Sequence, residues 1–361
     1  MPGVLMVEWL GRGGFAHTAE SWFRELSRTG GVGCAGSDGG EIVLVTRAGR
    51  ELAHSVKGSV AVGGGAGPVG AHVAILRTAL RLLRDRSPMT LVLHGTVLPQ
   101  LELPLIAAAR RRGSLTVLVA HEAVTGRSSP GSSAFLARMV RSADVVVVHS
   151  RFIASELEKR TGRTGYRLLP LPLPLGLVTD RGDPVVEAQS VVPATDGLLA
   201  LHFGHLHRRY KGTSSANALA AEGVPGWRFA LVGKGAPAGV TSAASATVVD
   251  RFLEPAELVA TVASADAVLL PYERASQSAA VVLAQALGAV VVASGVGGIP
   301  EQVEEGRTGL LLSPGAGVRE WVHGLERLRD EALRGGIATT ARESVVSMHG
   351  QFVEGITRII G

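Results

Sequence analysis

One stretch of the sequence, residues 262–301, constrains the fold more than any other part of the chain. It contains a short apolar run, Ala267–Leu270, which ends at Pro271 and predicts a buried parallel strand. A second apolar run, 289–293, predicts another buried strand. Two such strands joined by a helix are the repeating unit of a parallel α/β sheet, so this stretch predicts the α/β class.

The segment between the two strands predicts a loop and then a helix. Residues 272–277 are polar and cannot continue the first strand. Ser276 or Ser278 is placed to cap a helix that runs through Leu287. Gly288 then ends the helix, because glycine readily adopts the left-handed conformation found at helix ends.

A glycine-rich run, 295–298, follows the second strand and allows the backbone to approach a ligand closely. A helix is predicted to begin near Ile299, with Glu301 in its first turn. Two helix N-termini would then follow two strand ends on one sheet edge, and their unpaired N–H groups suit a phosphate. An ordinary α/β sheet with glycine-rich turns explains the same spacing, so the pattern alone leaves both interpretations open.

This order of elements resembles the donor-binding region of the retaining GT-B glycosyltransferases of family four, the glycosyl transferases group 1. That family has a strand ending in proline, a polar loop, a helix, a valine-rich strand and then Gly-Gly-Ile/Leu-Pro-Glu. Five consecutive residues match the last element: Gly297, Gly298, Ile299, Pro300 and Glu301. The resemblance is strong over 198–312, and it implies that Gly297, Gly298 and Glu301 contact a nucleotide-sugar donor.

The sequence departs from this family at one conspicuous point. The family usually carries two glutamates eight positions apart in the loop and helix, and the corresponding residues here are Ala275 and Leu283. The run Ser276-Gln277-Ser278 instead resembles a subgroup with a Thr/Ser-Gln-Ser loop, which implies that these three residues bind the donor. The departure concerns the catalytic assignment and leaves the implied fold unchanged.

A basic, glycine-rich segment at 204–212 lies where the resembled family holds the donor diphosphate. It follows an apolar strand, 198–203, and its Lys-Gly pair matches the family's Lys-Gly. A histidine replaces the family's arginine, and either of two nearby arginines would supply the guanidinium. Cations suit this place because a departing nucleoside diphosphate gains negative charge, although a solvated basic turn has the same composition. The implied site residues are Gly204, His205, Arg208, Arg209 and Lys211, the last three with catalytic roles.

Two further turns complete the donor side that the resemblance implies. Gly233-Lys234-Gly235 follows the strand 227–232 and resembles the family's Val-Gly-x-Gly turn. Gly233 is assigned to the donor, whereas Lys234 either assists with phosphate or faces solvent. The family's nucleobase usually lies near the turn that follows the strand 246–249.

The N-terminal part of the chain repeats the theme of a strand, a glycine-rich loop and a helix. The strand 4–7 precedes Gly13 and Gly14, and an amphipathic helix is predicted over 16–27. In the resembled family a Gly-Gly here approaches the diphosphate or the acceptor. The apolar residues of the helix are expected to pack on the sheet, and a membrane-facing role for them is the alternative.

Two histidines lie at predicted strand ends of this first half. His94 ends the strand 91–94, and His121-Glu122 follows the strand 115–120. Ligands of doubly wound sheets bind outside the carboxyl ends of the strands, where a histidine can bind a sugar hydroxyl or transfer a proton. His121-Glu122 resembles the strand-end His-Asp of the family, so His121 is predicted to be catalytic or to contact the sugar. A structural histidine near the surface is the alternative in both cases.

The resemblance also implies the architecture of the whole chain. We expect a GT-B fold, with two Rossmann-like doubly wound α/β domains facing a cleft. The acceptor-side domain spans 1–172, the donor domain spans 197–346, and 173–196 is a proline-containing linker. The helix at 347–361 is expected to cross back to the first domain.

Composition excludes several classes. The 361 residues carry a net charge of +5, but 32 of the 36 basic residues are arginines dispersed along the chain, and aromatic residues make up 4%. This argues against nucleic acid as a partner. One cysteine, Cys34, excludes an intrachain disulfide and fits the cytoplasm. Residues 1–10 do not resemble a signal peptide, and no apolar stretch is long enough to span a membrane.

The predicted function is a retaining transfer of a sugar from a nucleotide-sugar to a hydroxyl group, with UDP favoured and GDP possible. The acceptor is a carbohydrate, a lipid or a small molecule, and peripheral membrane contact stays compatible with the charge. No cofactor is expected, and no cluster with metal-ligand spacing stands out in the sequence. The alternatives are a catalytically silent relative that binds a nucleotide-sugar or a partner protein, and another nucleotide-sugar enzyme such as an epimerase.

Overall fold

A computed structural model gives the fold of the chain. The residues that it describes are 3–29, 41–50, 52, 55–56, 59–63, 67–86, 88–123, 132–185, 187–237, 239–240 and 246–360. The predicted loop at 30–40, including Cys34, lies outside them. Two compact units form, one from 1–176 with 350–361 and one from 177–349. The predicted limits of the acceptor-side domain, the linker and the donor domain stay predictions.

The first unit is built on a seven-stranded sheet in which every pairing is parallel, in the order β3-β2-β1-β4-β5-β6-β7. The five inner strands, β2, β1, β4, β5 and β6, are rich in valine and leucine and largely buried, as expected for a parallel sheet covered by helices, whereas the edge strands β3 and β7 are more exposed. The elements are β1 (Gly3–Glu8), α1 (Gly14–Thr29), β2 (Ile42–Arg47), β3 (Val60–Val62), α2 (Pro68–Asp85), β4 (Met89–His94), α3 (Pro99–Arg111), β5 (Thr116–Ala120), α4 (Ser132–Ser142), β6 (Val145–Val148), α5 (Arg151–Thr161) and β7 (Arg167–Leu168).

The second unit has a six-stranded parallel sheet in the order β10-β9-β8-β11-β12-β13. Its elements are β8 (Leu198–Phe203), a 3₁₀ turn (Arg209–Lys211), α6 (Thr213–Glu222), β9 (Trp227–Val232), β10 (Ala246–Val249), α7 (Pro255–Ala263), β11 (Ala267–Leu270), α8 (Ala279–Ala286), β12 (Val290–Ser294), a 3₁₀ turn (Ile299–Glu301), β13 (Leu310–Leu312), α9 (Val318–Arg327) and α10 (Glu331–Ile360). Two parallel-sheet, Rossmann-like units confirm the predicted α/β fold.

Three sequence-based predictions of helices need correction. The helix expected to begin near Ile299 is a single 3₁₀ turn, because the N–H of Glu304 donates to the hydroxyl of Thr308 at 2.8 Å and not to the Pro300 carbonyl oxygen that a continuing helix would need. The charged segment 320–334 also predicts a single helix, but the structure interrupts it at 328–330, which separates α9 from α10. Ser278 is the N-cap residue of α8, but its hydroxyl makes no capping hydrogen bond. Helices α4 and α6 were not predicted from the sequence.

The C-terminal end of α10, from Gly350 onwards, belongs to the first unit. Phe352 and Ile356 are fully buried in the same apolar cluster as Trp22. The rings of Trp22 and Phe352 meet edge to face with centroids 5.4 Å apart. Gly355 leaves room for the side chain of Leu169, which would overlap any larger residue at that position.

Two close backbone approaches shape the carboxyl edge of the second sheet. Gly212, with φ +68°, lies so near Pro271 that a Cβ would overlap the Pro271 carbonyl oxygen. Gly233, with φ +140°, lies equally near the carbonyl oxygen of Gly204. Glycine is required at these two positions by both conformation and space, and the turns after neighbouring strands are thereby drawn together.

Replacing Gly212 by alanine should destabilise the second unit strongly. The left-handed conformation alone costs about 1–2 kcal/mol for a residue with a Cβ, and the overlap with Pro271 adds to this. Gly315→Ala is the matched control, because Gly315 has φ +79° and no atom near its Cβ position. Urea unfolding should show a larger loss of unfolding free energy for Gly212→Ala than for Gly315→Ala, and equal losses would contradict the close approach.

Candidate functional site

The strand order of the second sheet reverses between β8 and β11. The chain proceeds outwards from β8 to β10 and then returns to β11 on the other side of β8. In parallel α/β sheets the turns at the carboxyl ends of two such strands diverge and leave a crevice for a ligand. The turns after β8 and β11 are therefore the primary place to look for a site.

These two turns contact each other directly. The N–H of Glu273, after β11, donates to the carbonyl oxygen of Tyr210, after β8, at 2.9 Å. The contact of Gly212 with Pro271 lies beside this hydrogen bond. The two turns consequently form one continuous surface at the strand ends.

Lys211 stands on this surface and is half-buried. Its Nζ donates to the phenolic oxygen of Tyr272 at 2.8 Å and lies 4.0 Å from the centroid of the same ring. Lys211 forms no ion pair with a carboxylate of the described chain, whereas Lys159 pairs with Glu156 at 2.9 Å. Within the described residues, no carboxylate therefore offsets the positive charge of Lys211.

The other predicted cations of this segment are more exposed. Arg208 lies in the turn with an exposed side chain. The Nε of Arg209 is 3.9 Å from a carboxylate oxygen of Glu273, and 94% of the Arg209 side chain is accessible to solvent. Arg274, which the sequence did not single out, places its guanidinium 5.4 Å from the centroid of the Tyr210 ring.

His205 belongs to a different group of side chains on the same edge. Its ring meets Phe252 edge to face with centroids 5.4 Å apart, and it contacts His207 at 5.5 Å. Lys234 places its Nζ 5.4 Å from the centroid of Phe252, which is half-exposed. These residues come from the turns after β8, β9 and β10, so the structure brings His205 together with Gly204, Gly233 and the turn at 250–252.

The loop at 276–278 and the glycines at 297–298 are also brought together. The N–H of Gly298 donates to the carbonyl oxygen of Ala275 at 3.2 Å. Gln302 accepts the N–H of Ser278 at 2.7 Å and donates to the Ser278 carbonyl oxygen at 3.1 Å. The N–H groups of Ser278 and Gly298 therefore already donate within the protein, and the other N–H groups near 277–279 and 297–298 stay predicted phosphate donors.

The predicted residues of the first unit also lie near one another. Gly13 adopts φ +72° and Gly14 begins α1. The next residue, Phe15, places its ring 4.7 Å from the ring of His121. The glycine loop and His121 thus belong to one surface, and Phe15 is the residue that joins them.

Three histidines at the ends of β4, β5 and β6 form a row under this surface. The ring centroids of His94 and His121 are 4.6 Å apart, and those of His121 and His149 are 5.1 Å apart. Burial lowers the pKa of His149 to about 4, and burial, assisted by repulsion among the three rings, lowers the pKa of the other two well below 6.5. The row is therefore neutral at neutral pH and can offer hydrogen bonds without charge.

Glu8 ends β1 and lies opposite His94 across the reversal point of the first sheet. Its carboxylate accepts the N–H groups of Leu10 and Gly11 at 3.0 and 2.6 Å, and the hydroxyl of Thr46 at 3.2 Å. Burial raises the pKa of Glu8 to about 7, against the effect of these hydrogen bonds. A pocket of about 30 Å³, enough for roughly one water molecule, lies between Glu8, His94, His121 and Glu122.

Several of these residues are not among those predicted from the sequence. Glu8 and His149 lie at strand ends. The same position singled out His94 and His121, so Glu8 and His149 could have been predicted in the same way. Tyr272 and Gln302 could not, because their roles depend on contacts between turns far apart in sequence. Within the described residues, no three His, Cys, Asp or Glu side chains are grouped to hold a metal ion. No described helix combines the length and the apolar character needed to cross a membrane.

Comparison with known proteins addresses the second unit most directly. Residues 199–331 match the family model of glycosyl transferases group 1. This group 1 segment contains both turns at the reversal point, the loop at 276–278 and the glycines at 297–298. The resemblance to glycosyl transferases group 1 is confirmed for this segment, and the subgroup with a Thr/Ser-Gln-Ser loop stays a prediction.

Curated relatives are D-inositol 3-phosphate glycosyltransferases. The protein from Actinosynnema mirum is 31% identical over 249 residues, which cover 59% of each chain. The protein from Corynebacterium aurimucosum is 42% identical over 84 residues, 22% of this chain and 20% of that one. The chain thus spans about three fifths of the first of these relatives and a fifth of the second.

Solved structures agree in fold over nearly the whole chain. HepE from Anabaena, in complex with UDP and glucose, superposes with a TM-score of 0.74 at 15% identity, covering 99% of this chain and all of HepE. Sucrose-phosphate synthase from Thermosynechococcus elongatus gives 0.73 at 16% identity and covers 99% of this chain and 98% of that one. The fold of both units is that of GT-B glycosyltransferases.

The raised pKa of Glu8 predicts a pH-dependent stability. The folded protein holds this proton more tightly than the unfolded chain, so the contribution of Glu8 falls as pH rises from 4.5 to about 7. Glu8→Gln abolishes this titration. Between those pH values the unfolding free energy of Glu8→Gln should rise relative to wild type by up to about 3 kcal/mol, measured by urea unfolding at several pH values.

The control is Glu343→Gln, which removes a carboxylate from an exposed position of α10. It reports the effect of net charge alone. If the difference between Glu8→Gln and wild type were constant with pH, burial would not control the protonation of Glu8.

Proposed function

We propose that this protein is a retaining glycosyltransferase that moves a sugar from a nucleotide-sugar donor to a hydroxyl group of an acceptor. One observation carries the proposal. Lys211, whose charge no described carboxylate neutralises, stands at the reversal point of the sheet in the segment that matches glycosyl transferases group 1. A nucleoside diphosphate is the anion that this chemistry fits.

The proposed role of Lys211 is to stabilise the leaving diphosphate. Breaking the bond between the sugar and the diphosphate leaves an additional negative charge on the phosphate oxygens. A cation already in place favours that state without further reorganisation. Arg208 or Arg209 would add a second charge, since both side chains extend from the same turn and are exposed enough to move onto a ligand.

Backbone N–H groups provide further donors. The first turn of α8 follows Ser278, and the N–H groups of a helix's first turn have no partner inside the helix. We assign the phosphate contact to the amides that follow Ser278, since the Ser278 amide itself is held by Gln302. The hydroxyls of Ser276 and Ser278, the amide of Gln277, and Gly297 and Glu301 stay predicted donor contacts.

A retaining reaction without a protein nucleophile accounts for the absence of the glutamate pair. In the proposed step, a phosphate oxygen of the leaving group accepts the acceptor's proton on the face where the sugar bond forms. Ala275 has no polar side-chain atom, and Leu283 is buried in α8 with 4% exposure. Neither position therefore carries a carboxylate, and none is required by this route.

The first unit is proposed to bind the acceptor and to contact the sugar. Gly13, Gly14 and Phe15 form one surface with His121, whose neutral ring can donate or accept a hydrogen bond from a hydroxyl. We favour UDP as the nucleotide because HepE, similar in fold, has been solved with UDP and glucose. GDP is the second choice, and the acceptor is a carbohydrate, a lipid or a small molecule. No metal or other cofactor is proposed, and a cytoplasmic location with peripheral membrane contact stays a prediction.

A catalytically silent relative is the second candidate. The observation that favours it is the apolar pair Ala275 and Leu283 where glutamates are usual. Such a protein would bind the nucleotide-sugar without transferring the sugar. An epimerase on the same fold is distinguished by its product, which would be an altered nucleotide-sugar with no free diphosphate.

Calorimetry with UDP and GDP should show saturable binding of one nucleotide to the wild-type protein. Lys211→Ala should weaken that binding at least tenfold, or about 1.4 kcal/mol, because the ammonium group facing the diphosphate is lost. Lys159→Ala is the matched control, since Lys159 is exposed and already paired with Glu156. The Lys159→Ala variant should bind the nucleotide with the same affinity as the wild-type protein.

Absence of binding by both nucleotides would refute a UDP- or GDP-sugar donor. Binding without release of the diphosphate from any sugar nucleotide, with or without acceptors, would favour the silent relative. For an active protein, proton NMR of the product should show the same anomeric configuration as the donor. An inverted product would contradict the retaining reaction.

A further inference from the structure

The hydrogen bond from Lys211 to Tyr272 differs from the other contacts of basic side chains near the site. Arg209 faces Glu273, and Arg251 makes two hydrogen bonds to Glu257 at 2.7 and 2.8 Å. A carboxylate partner fixes a cation but also cancels its charge. The phenol of Tyr272 is neutral, so it fixes the ammonium group and leaves its charge intact.

An unattached lysine side chain is a poor anchor for an anion. It has four rotatable bonds, and ordering it on binding costs conformational entropy. A partner that holds the ammonium group beforehand removes part of this cost from the binding step. Tyr272 contacts Lys211 twice, through its hydroxyl at 2.8 Å and through its ring at 4.0 Å from the centroid.

Tyr272 is itself rigidly held. It is 2% exposed, although it belongs to the polar turn after β11. The turn is fixed on both sides of it, by Pro271 against Gly212 and by the N–H of Glu273 on the carbonyl oxygen of Tyr210. The hydroxyl of Tyr272 therefore has a defined position relative to the backbone that carries Lys211.

A neutral group also lies behind this pair. His202, on β8, donates from Nδ1 to the carbonyl oxygen of Leu269 at 3.0 Å and has its Nε2 3.1 Å from the hydroxyl of Thr213. It is 1% exposed, and burial, assisted by the positive charge of Lys211, lowers its pKa to about 4. His202 therefore adds no negative charge that would offset the charge of Lys211.

We propose that Tyr272 is a positioning residue for Lys211, holding the ammonium group ready for the diphosphate while leaving its charge unneutralised. The proposal rests on the proposed function, because it assumes that Lys211 binds the diphosphate. Tyr272 acts through Lys211 and needs no contact of its own with the donor. It follows that the benefit of the Tyr272 hydroxyl must vanish when Lys211 is absent.

A double-mutant cycle tests this dependence. Calorimetry should compare wild type, Tyr272→Phe, Lys211→Ala and the double variant with whichever of UDP and GDP the wild type binds. Tyr272→Phe keeps the ring and removes only the hydroxyl, so the core contact is preserved. We expect it to weaken binding about fivefold, the value of one ordinary hydrogen bond. In the Lys211→Ala background the same change should have no effect.

Two controls separate positioning from general loss of structure. The nucleoside without phosphates should bind wild type and Tyr272→Phe equally, since only the diphosphate is expected to meet Lys211. Tyr166→Phe makes the same chemical change in the first unit, where the Tyr166 hydroxyl lies 3.2 Å from that of Thr161. It should leave nucleotide binding unchanged, and thermal unfolding of each variant should show that it is folded.

The outcomes are distinguishable. A wild type that binds neither nucleotide overturns the proposed function and this inference with it. Binding that Lys211→Ala weakens and Tyr272→Phe does not would overturn the inference alone. An equal effect of Tyr272→Phe with and without Lys211, or an effect on the nucleoside, would assign Tyr272 a structural role only.

Discussion

The second unit depends on how closely two stretches of backbone can approach at the carboxyl edge of its sheet. Gly212 packs on the carbonyl oxygen of Pro271, and Gly233 packs on that of Gly204. Neither approach allows a side chain. Because these turns follow neighbouring strands, their contact determines where Lys211 and Tyr272 stand, and the electrostatics of the site follows from that placement.

The two units use the reversal of strand order in different ways. In the second unit Lys211 lies at the reversal point. Its hydrogen-bond partner, Tyr272, is neutral, so the charge of Lys211 stays available. In the first unit the corresponding place joins Glu8 and His94 across β1 and β4, and burial opposes charge on both side chains. The carboxyl edge of the second sheet is thus suited to an anion. The carboxyl edge of the first sheet is suited to groups that form hydrogen bonds without a net charge.

Much of this arrangement could be predicted from the sequence. Strands such as β8, β9 and β11 are continuous apolar runs with clear ends, so their limits were predicted correctly. The placement of Gly297 and Gly298 near the loop at 276–278 also followed from the order of the elements. Contacts between side chains and distant backbone could not be predicted, because a periodic pattern specifies which face a residue occupies and does not specify its partner. The capture of the Ser278 amide by Gln302 is the clearest case.

The last turns of α10 have a consequence for how the chain can be divided. Phe352 and Ile356, with Ile360, complete an apolar cluster whose other members lie between residues 4 and 169, among them Trp22. A fragment that ended at residue 176 would leave that cluster open to water, although it would contain every strand of the first sheet. The first unit is therefore discontinuous in the gene, and a recombinant version of it would need residues 350–361 rejoined by a linker.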